Sequence, residues 1–270
     1  MSLYEKMKRF LRAKSEENTT KIIHLETVDS TNNYLRKHHS EEQNFTVVET
    51  EFQTAGRGQG TNTWSSEQGQ NLLFSILIHP NRIPVAKQFL LSEFGALAIK
   101  EGLKGLVKDN ITLKWPNDIY WNDLKLSGTL IETSLTGNCI KNCIFGIGLN
   151  INQTEFDSGI PNPVSLRQIV GRKVDKVQVL NSIIRAFRGL YHLIEEGNYA
   201  ELSTRYHEAL YRASGFHSFK DKEGVFEATI LEVEDDGHLV LRDRAGIIRS
   251  YMFKEIEYGK IYKSAAQALR

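Results

Sequence analysis

Up to about residue 212, β-prone and helix-prone segments alternate, and that alternation restricts the chain to a sheet covered by helices. Ile22 to Leu25 is a short β-prone run, and Asp29-Ser30-Thr31-Asn32 supplies capping side chains for a helix reaching His38. Phe45 to Phe52 predicts a strand leading into a glycine-rich loop, Gly56 to Gly60, and Asn71 to His79 predicts another, closed by Pro80. From Pro84 to Val107, residues Phe89, Leu90, Phe94, Leu97, Ala98 and Leu106 fall near a 3.6-residue period, which predicts a long core-facing helix. Ile111 to Ile151 reads as three strands with tight turns, the last two joined by Gly137-Asn138. A surface loop with Pro161 and Pro163 spans 153–163, and helices follow at about 175–196, capped by Asp175, and 199–212. After Ser214-Gly215 the texture turns β-rich: Val225 to Val233, His238 to Arg242 and Ile247 to Phe253, with Asp236-Gly237 and Ala245-Gly246 as hairpin turns. The reading is an α+β architecture: an extension at 1–20, a larger domain at 21–212 and a small β domain, a barrel, at 213–270.

Charge and cysteine usage narrow the function class. Lys and Arg number 34 against 33 Asp and Glu, so the chain lacks the basic excess of a protein that coats nucleic acid. Cys139 and Cys143 form no metal-type pair and fit buried thiols in a reducing, cytoplasmic setting better than a disulfide framework. No apolar run approaches the length of a membrane span, and no signal peptide is evident. Leu3, Met7, Phe10 and Leu11 recur at helical spacing among Lys6, Lys8, Arg9, Arg12 and Lys14, which predicts a short helix packing on the body. The eight histidines show no ligand spacing, and no metal site is expected.

Three clusters can carry chemistry. Gln53-Thr54-Ala55-Gly56-Arg57-Gly58-Gln59-Gly60, running on to Trp64, lets backbone N–H groups approach an anion beside the Arg57 fork. It is neither a P-loop nor a dinucleotide fingerprint, and taken alone it also reads as an ordinary turn. Lys114-Trp115-Pro116-Asn117-Asp118 is a rigid edge, since Pro116 pushes Trp115 toward an extended conformation. If Asn122-Asp123 is the turn between Asp118–Trp121 and Leu124–Ile131, Tyr120 faces Lys125, and Lys125 shares a face with Asp118. Such a pair suits stabilisation of a phosphoryl or acyl transition state; the alternative is an edge-strand lysine and a capping aspartate. Gly146-Ile147-Gly148-Leu149-Asn150-Ile151-Asn152 places glycines inside a strand, marking either close approach of a ligand or a bulge.

In this order, Asp29-Ser30-Thr31-Asn32, Gln53 to Gly58, Trp64, Lys114 to Asp118, Lys125-Leu126-Ser127-Gly128 and Gly146 to Asn150 resemble the biotin–protein ligases over about residues 21–265. The KWPND segment with its lysine seven residues on is the most specific part. The resemblance implies a mixed-sheet catalytic domain of the biotin/lipoate ligase type with an SH3-like C-terminal β domain. It implies activation of biotin with ATP and Mg²⁺ to biotinyl-5′-AMP, then transfer to a lysine of a biotin carboxyl carrier protein or domain of a biotin-dependent carboxylase. Ser30, Thr31, Asn32 and Gln53 would bind biotin; Gly56, Arg57, Gly58, Gln59 and Lys125 would wrap its carboxylate and the phosphate. Lys125, Arg57 and Asp118 would act in catalysis, Asp118 orienting the carrier lysine or the phosphate network. Trp64, Lys114, Asn117 and Asn150, with Arg57 and Gln59, would hold ATP or the adenylate, while Gly128, Gly146 and Gly148 leave room for the biotin rings. Many members carry a second arginine where this chain has Gln59, and another basic residue in place of Asn62, which shifts retention of the adenylate toward Arg57 and the loop backbone.

With about 20 residues ahead of the larger domain, a short form without a DNA-reading domain is expected, and no DNA or membrane partner; oligomeric state stays open. The competing readings are a lipoate–protein ligase, which lacks the KWPND pattern and the small β domain, and a non-catalytic biotin sensor, which should lose Lys125 or Arg57. Basic residues of the small domain interleave with acids and read as a solvated face rather than a nucleic-acid surface.

Overall fold

The structure, a computed structural model, describes residues 20–40, 42–80 and 83–259. The helix expected over the first fourteen residues lies outside this range.

Strand β1 (Ile22–Val28) leads into helix α1 (Thr31–His38), and β2 (Thr46–Gln53) and β3 (Leu72–Ile78) follow. A 3₁₀ turn at Val85–Lys87 precedes α2 (Phe89–Leu103), so the long helical pattern begins later than its first apolar residue suggests. Four strands come next: β4 (Ile111–Lys114), β5 (Asp118–Trp121), β6 (Leu124–Thr136) and β7 (Cys139–Leu149). The sequence pattern accounted for three of them. Ile111–Lys114 is the extra one, paired antiparallel with β5 so that Lys114 faces Asp118 across the Trp115-Pro116-Asn117 turn. These strands form one seven-stranded sheet in the order β1-β2-β3-β7-β6-β5-β4, with β1–β2 parallel and every other pair antiparallel.

Helices α3 (Leu166–Val170), α4 (Lys176–Glu195) and α5 (Tyr199–Glu208) complete this part. Asp175 caps α4 as expected, accepting from the N–H groups of Val177 and Gln178. Ser30 stands at the N-cap of α1 without capping it, and the hydroxyl and N–H of Thr31 donate instead to Gln53 Oε1, at 3.2 and 2.9 Å. All of β3 is buried, because both faces of the sheet are covered there. On one face Phe94, Phe145 and Phe187 meet edge to face between α2, β7 and α4. Gly102 allows the two helices to touch: a Cβ there would lie 2.7 Å from Ile183 Cα. On the other face α1 packs Leu35 against Val48, Leu77 and Ile144.

A second, five-stranded antiparallel sheet follows, made of β8 (His217–Asp221), β9 (Gly224–Val233), β10 (Leu239–Asp243), β11 (Ile248–Tyr251) and β12 (Glu257–Tyr258), in the order β11-β10-β9-β8-β12. Its buried residues, among them Phe219, Ala228 and Leu239, are continuous with the core of the first sheet. The Trp115 indole donates to the Gly237 carbonyl at 2.9 Å, and the Val233 N–H donates to His207 Nε2 at 2.9 Å. The KWPND turn is therefore braced by the second sheet.

Near the same joint, Glu93 on α2 is buried, accepts from the Ser203 hydroxyl at 2.7 Å and lies near Asp235. Burial pushes its carboxyl up to about 7. The folded state thus holds this proton more tightly than the unfolded chain. The stability it confers is complete below pH ~4.5 and is lost as pH rises toward about 7, to a limit of about 3 kcal/mol. Glu93→Gln is expected to flatten this part of the profile and to raise the urea midpoint above pH 7. Urea titrations of both proteins from pH 4.5 to 8 check it.

Candidate active site

Opposite the α2–α4 face, β6 and β7 pair Gly128 with Gly148 and Leu130 with Gly146, so one stretch of the sheet carries almost no side chains. The β2–β3 connection folds over it as a small hairpin. Gly58 N–H donates to Asn62 O at 2.8 Å, Trp64 N–H to Gly56 O at 3.0 Å, and Arg57 bridges Thr63. Any side chain at Gly56 would strike the Trp64 carbonyl. Together with the start of α1, the KWPND turn, the β5–β6 turn and the end of the second sheet, this hairpin encloses a cavity of about 1030 Å³.

The cavity gathers Ser30, Thr31, Asn32, Gln53, Arg57, Gly58, Gln59, Trp64, Lys114, Asn117, Asp118, Lys125, Gly128, Gly146 and Gly148. Gly56 supports the hairpin from outside the wall. Asn150 does not line the cavity either. Its buried amide donates to the Val164 carbonyl at 3.1 Å and its N–H to the Leu126 carbonyl at 3.0 Å, pinning the 161–166 segment. Two of the strand glycines lie directly under protein side chains. A Cβ at Gly146 would overlap the Asn32 amide, and one at Gly148 the Trp64 indole, so protein side chains occupy the space that was expected to be open for the biotin rings.

Asn117 closes the KWPND turn by donating to Thr129 O at 2.6 Å. The expected β5–β6 register holds at the turn, with Trp121 opposite Leu124 and Tyr120 opposite Lys125. A bulge then brings Asp118 opposite Gly128, and Lys125 Nζ lies 2.7 Å from Asp118 Oδ1. Lys114 Nζ donates to the Tyr120 hydroxyl at 2.9 Å and lies over the rings of Tyr120 and Tyr258, at 4.5 and 5.0 Å. Burial holds this ammonium down at about 8 and pushes the Tyr120 hydroxyl well above its usual range.

Several contributors carried no sequence signal that singled them out. Ser75 on β3 is buried, with its hydroxyl 2.7 Å from Thr31 Oγ1 and 2.6 Å from Asn32 Oδ1. Glu132 pairs with Arg57 at 3.0 Å and accepts from Asn32 Nδ2 at 2.9 Å, while Asn33 Oδ1 accepts from Arg57 at 3.1 Å. Period-two alternation puts Glu132 on the same face as Gly128 and Leu130, the one pattern that could have linked it to the glycines. Gln59 Oε1, Trp64 Nε1, Arg212 Nε and Tyr258 OH all belong to cavity residues and are buried without a hydrogen-bond partner. Polar atoms left in that condition mark a site made for something polar to enter.

Solved structures share this arrangement of sheets and helices. The biotin protein ligase from Aquifex aeolicus, solved with biotin and ATP, superimposes with a TM-score of 0.73 at 24% identity, covering 89% of this chain and 100% of that one. The fold is that of the biotin protein ligases. In sequence the chain is 29% identical over 219 residues to the bifunctional ligase/repressor BirA of Bacillus spizizenii, covering 79% of this chain and 66% of that protein. It thus spans about two thirds of that relative's length. With the biotin–[acetyl-CoA-carboxylase] ligase of Paracoccus denitrificans it shares 28% over 208 residues, covering 72% of this chain and 82% of that one. Residues 24–150 match the biotin/lipoate A/B protein ligase family, and the chain is similar in sequence to biotin–protein ligases over this stretch.

The hold on Arg57 has a direct readout. Glu132→Ala removes its carboxylate partner, and trypsin is expected to cut after Arg57 several-fold faster than in the unaltered protein. Peptide mapping of a limited-digestion time course checks it.

Proposed function

We propose that this chain is a biotin–protein ligase, joining biotin to ATP as biotinyl-5′-AMP and then passing biotin to a lysine of a carrier protein. The observation that carries the reading is the meeting of Arg57, Lys114 and Lys125 with the unpartnered polar atoms of Gln59 and Trp64 in one cavity of a biotin/lipoate ligase family domain.

In the first step the biotin carboxylate oxygen attacks the α-phosphorus, an acyl–phosphate bond forms, and the bond to the departing pyrophosphate breaks. A carboxylate and a phosphate held about 4 Å apart repel by about 4 kcal/mol at an effective dielectric of 20, so cations must sit between them. Arg57 and Lys125 are suited to that task, both lying over the glycine-bearing face of the sheet. On binding, each exchanges its present carboxylate partner, Glu132 or Asp118, for a substrate oxygen. In the second step a lysine amine attacks the acyl carbon and AMP leaves; Lys125 remains opposite the same oxyanions, and Asp118, released from it, is free to orient the incoming amine.

Thr31, bonded to both Gln53 and Ser75, offers with Gln53 fixed donors and acceptors for the polar end of biotin. Trp64, Lys114 and Asn117, which line the same cavity, are the residues we assign to the nucleotide. Mg²⁺ would arrive with ATP, neutralising phosphate charge. Among the described residues, Asp118, Asp123 and Glu257 are the carboxylates of the cavity wall, and Asp118, beside Lys125, is the one we assign to meet it; the His24-Glu49-Glu51 and Glu234-Asp236-His238 clusters lie away from the cavity. No helix among the described residues is long and apolar enough to cross a membrane. A cytoplasmic setting and a biotin carboxyl carrier domain as partner belong to the same reading.

Pyrophosphate release from purified protein with Mg-ATP is expected with biotin, and not with lipoate or without an acid. Release with lipoate alone would move the assignment to lipoate ligation. Tight biotin binding without release would indicate a sensor. Lys125→Ala is expected to leave biotin binding measurable while slowing adenylate formation roughly 10²–10³-fold, the usual effect of removing one oxyanion donor. Full activity in that variant would remove Lys125 from the mechanism.

A further inference from the structure

Five cationic side chains line the cavity: Arg57, Lys114, Lys125, Arg212 and Lys254. Four are already committed. Arg57 is held by Glu132 and Asn33, Lys125 by Asp118, and Lys114 by the Tyr120 hydroxyl, while Arg212 donates to the carbonyls of Ser218 and Gly259 at 3.1 and 2.9 Å. Lys254 is different. It is exposed, its closest aromatic neighbour is the Phe253 ring at 5.9 Å, and among the described residues it has neither an ion pair nor a hydrogen bond.

The backbone of Lys254 is unusual as well. Its φ is 75°, in the left-handed region that a glycine enters freely and a lysine does not. Despite that cost the position carries a long cation, and the cation is aimed. Its Nζ reaches from the second sheet to the glycine-rich hairpin, where a Cβ at Gly60 would lie 2.5 Å from it. Residues 56–64 contain one charged side chain, Arg57, and the neighbouring Gln59 contributes a buried, unpartnered carbonyl oxygen but no charge.

We infer that Lys254 binds the β- and γ-phosphates of the nucleotide, closing the glycine-rich hairpin against the second sheet around the oligophosphate. This rests on the proposed function for the identity of the nucleotide, not for the identity of the acid. An ammonium is a compact point charge with three donors, suited to phosphate oxygens that differ in orientation from one molecule to the next. An exposed position suits a group whose ligand leaves as pyrophosphate.

The test compares the unaltered protein with Lys254→Gly and Lys254→Arg. Calorimetry with AMP and with an ATP analogue whose α–β bridge cannot be cleaved, each with and without biotin, reads the site without turnover. Lys254→Gly is expected to weaken the triphosphate analogue about 10-fold or more, the loss of one charge-assisted hydrogen bond, and to leave AMP within about two-fold. Its Tm should hold or rise, because glycine relieves the left-handed backbone. Lys254→Arg should recover most of the triphosphate affinity. Equal losses for AMP and analogue, or no loss for either, would overturn the inference. So would a defect confined to transfer from preformed biotinyl-5′-AMP to a carrier, which would make Lys254 a docking residue for the protein partner. A protein that binds the analogue normally but does not respond to biotin would count against the proposed acid substrate alone.

Discussion

A stretch of sheet face with almost no side chains cannot be left bare, and the pairing of Gly128 with Gly148 and of Leu130 with Gly146 creates that condition. The Asn32 amide and the Trp64 indole settle onto it, each so closely that no β-carbon would fit beneath. From this constraint the rest of the site follows. Asn32 draws in Ser75 and Glu132; Glu132 draws in Arg57; Trp64 carries the glycine-rich hairpin across the opening. A side chain at 146 would lift Asn32, which shares Glu132 with Arg57, and one at 148 would lift Trp64.

The second sheet is part of the same construction rather than an appendage. Trp115 sits inside the KWPND turn and bonds the Gly237 carbonyl, so Lys114 and Asp118, on either side of that turn, take their positions from a brace in the other sheet. Tyr258 adds its ring to the setting of Lys114, and Arg212, at the joint, bonds the carbonyls of Ser218 and Gly259 where β8 and β12 meet at one edge of the second sheet. A shared buried core ties the two parts mechanically.

Some of this was legible in the residues and some was not, for identifiable reasons. Asn122-Asp123 fixes the β5–β6 register because a two-residue turn leaves one pairing, and Tyr120 does stand opposite Lys125; the bulge that brings Asp118 opposite Gly128 has no such marker. Ile111–Lys114 was missed as a strand because four residues before a proline carry too little pattern. The glycines announced a close approach, but not its occupants, since Trp64 and Asn32 arrive from more than eighty residues away in sequence. Asn150 read as a ligand contact because a paired donor and acceptor looks the same whether it faces a base or a carbonyl; here it faces Val164. Glu132 looked like one more solvated strand charge. Nothing in the sequence marked Lys254, since a lysine in left-handed backbone is contrary to its own preference.

The ion pairs of the cavity also bear on how a ligand arrives. Because Arg57 and Lys125 already face Glu132 and Asp118, the field they project beyond the opening is that of two dipoles, which fades far faster with distance than that of two free cations. The long-range pull on a highly charged nucleotide is therefore left to the cavity cations without a carboxylate partner among the described residues, Lys114, Arg212 and Lys254. At Arg57 and Lys125 entry proceeds by partner exchange at contact, so selection among anions there falls to the groups they meet inside.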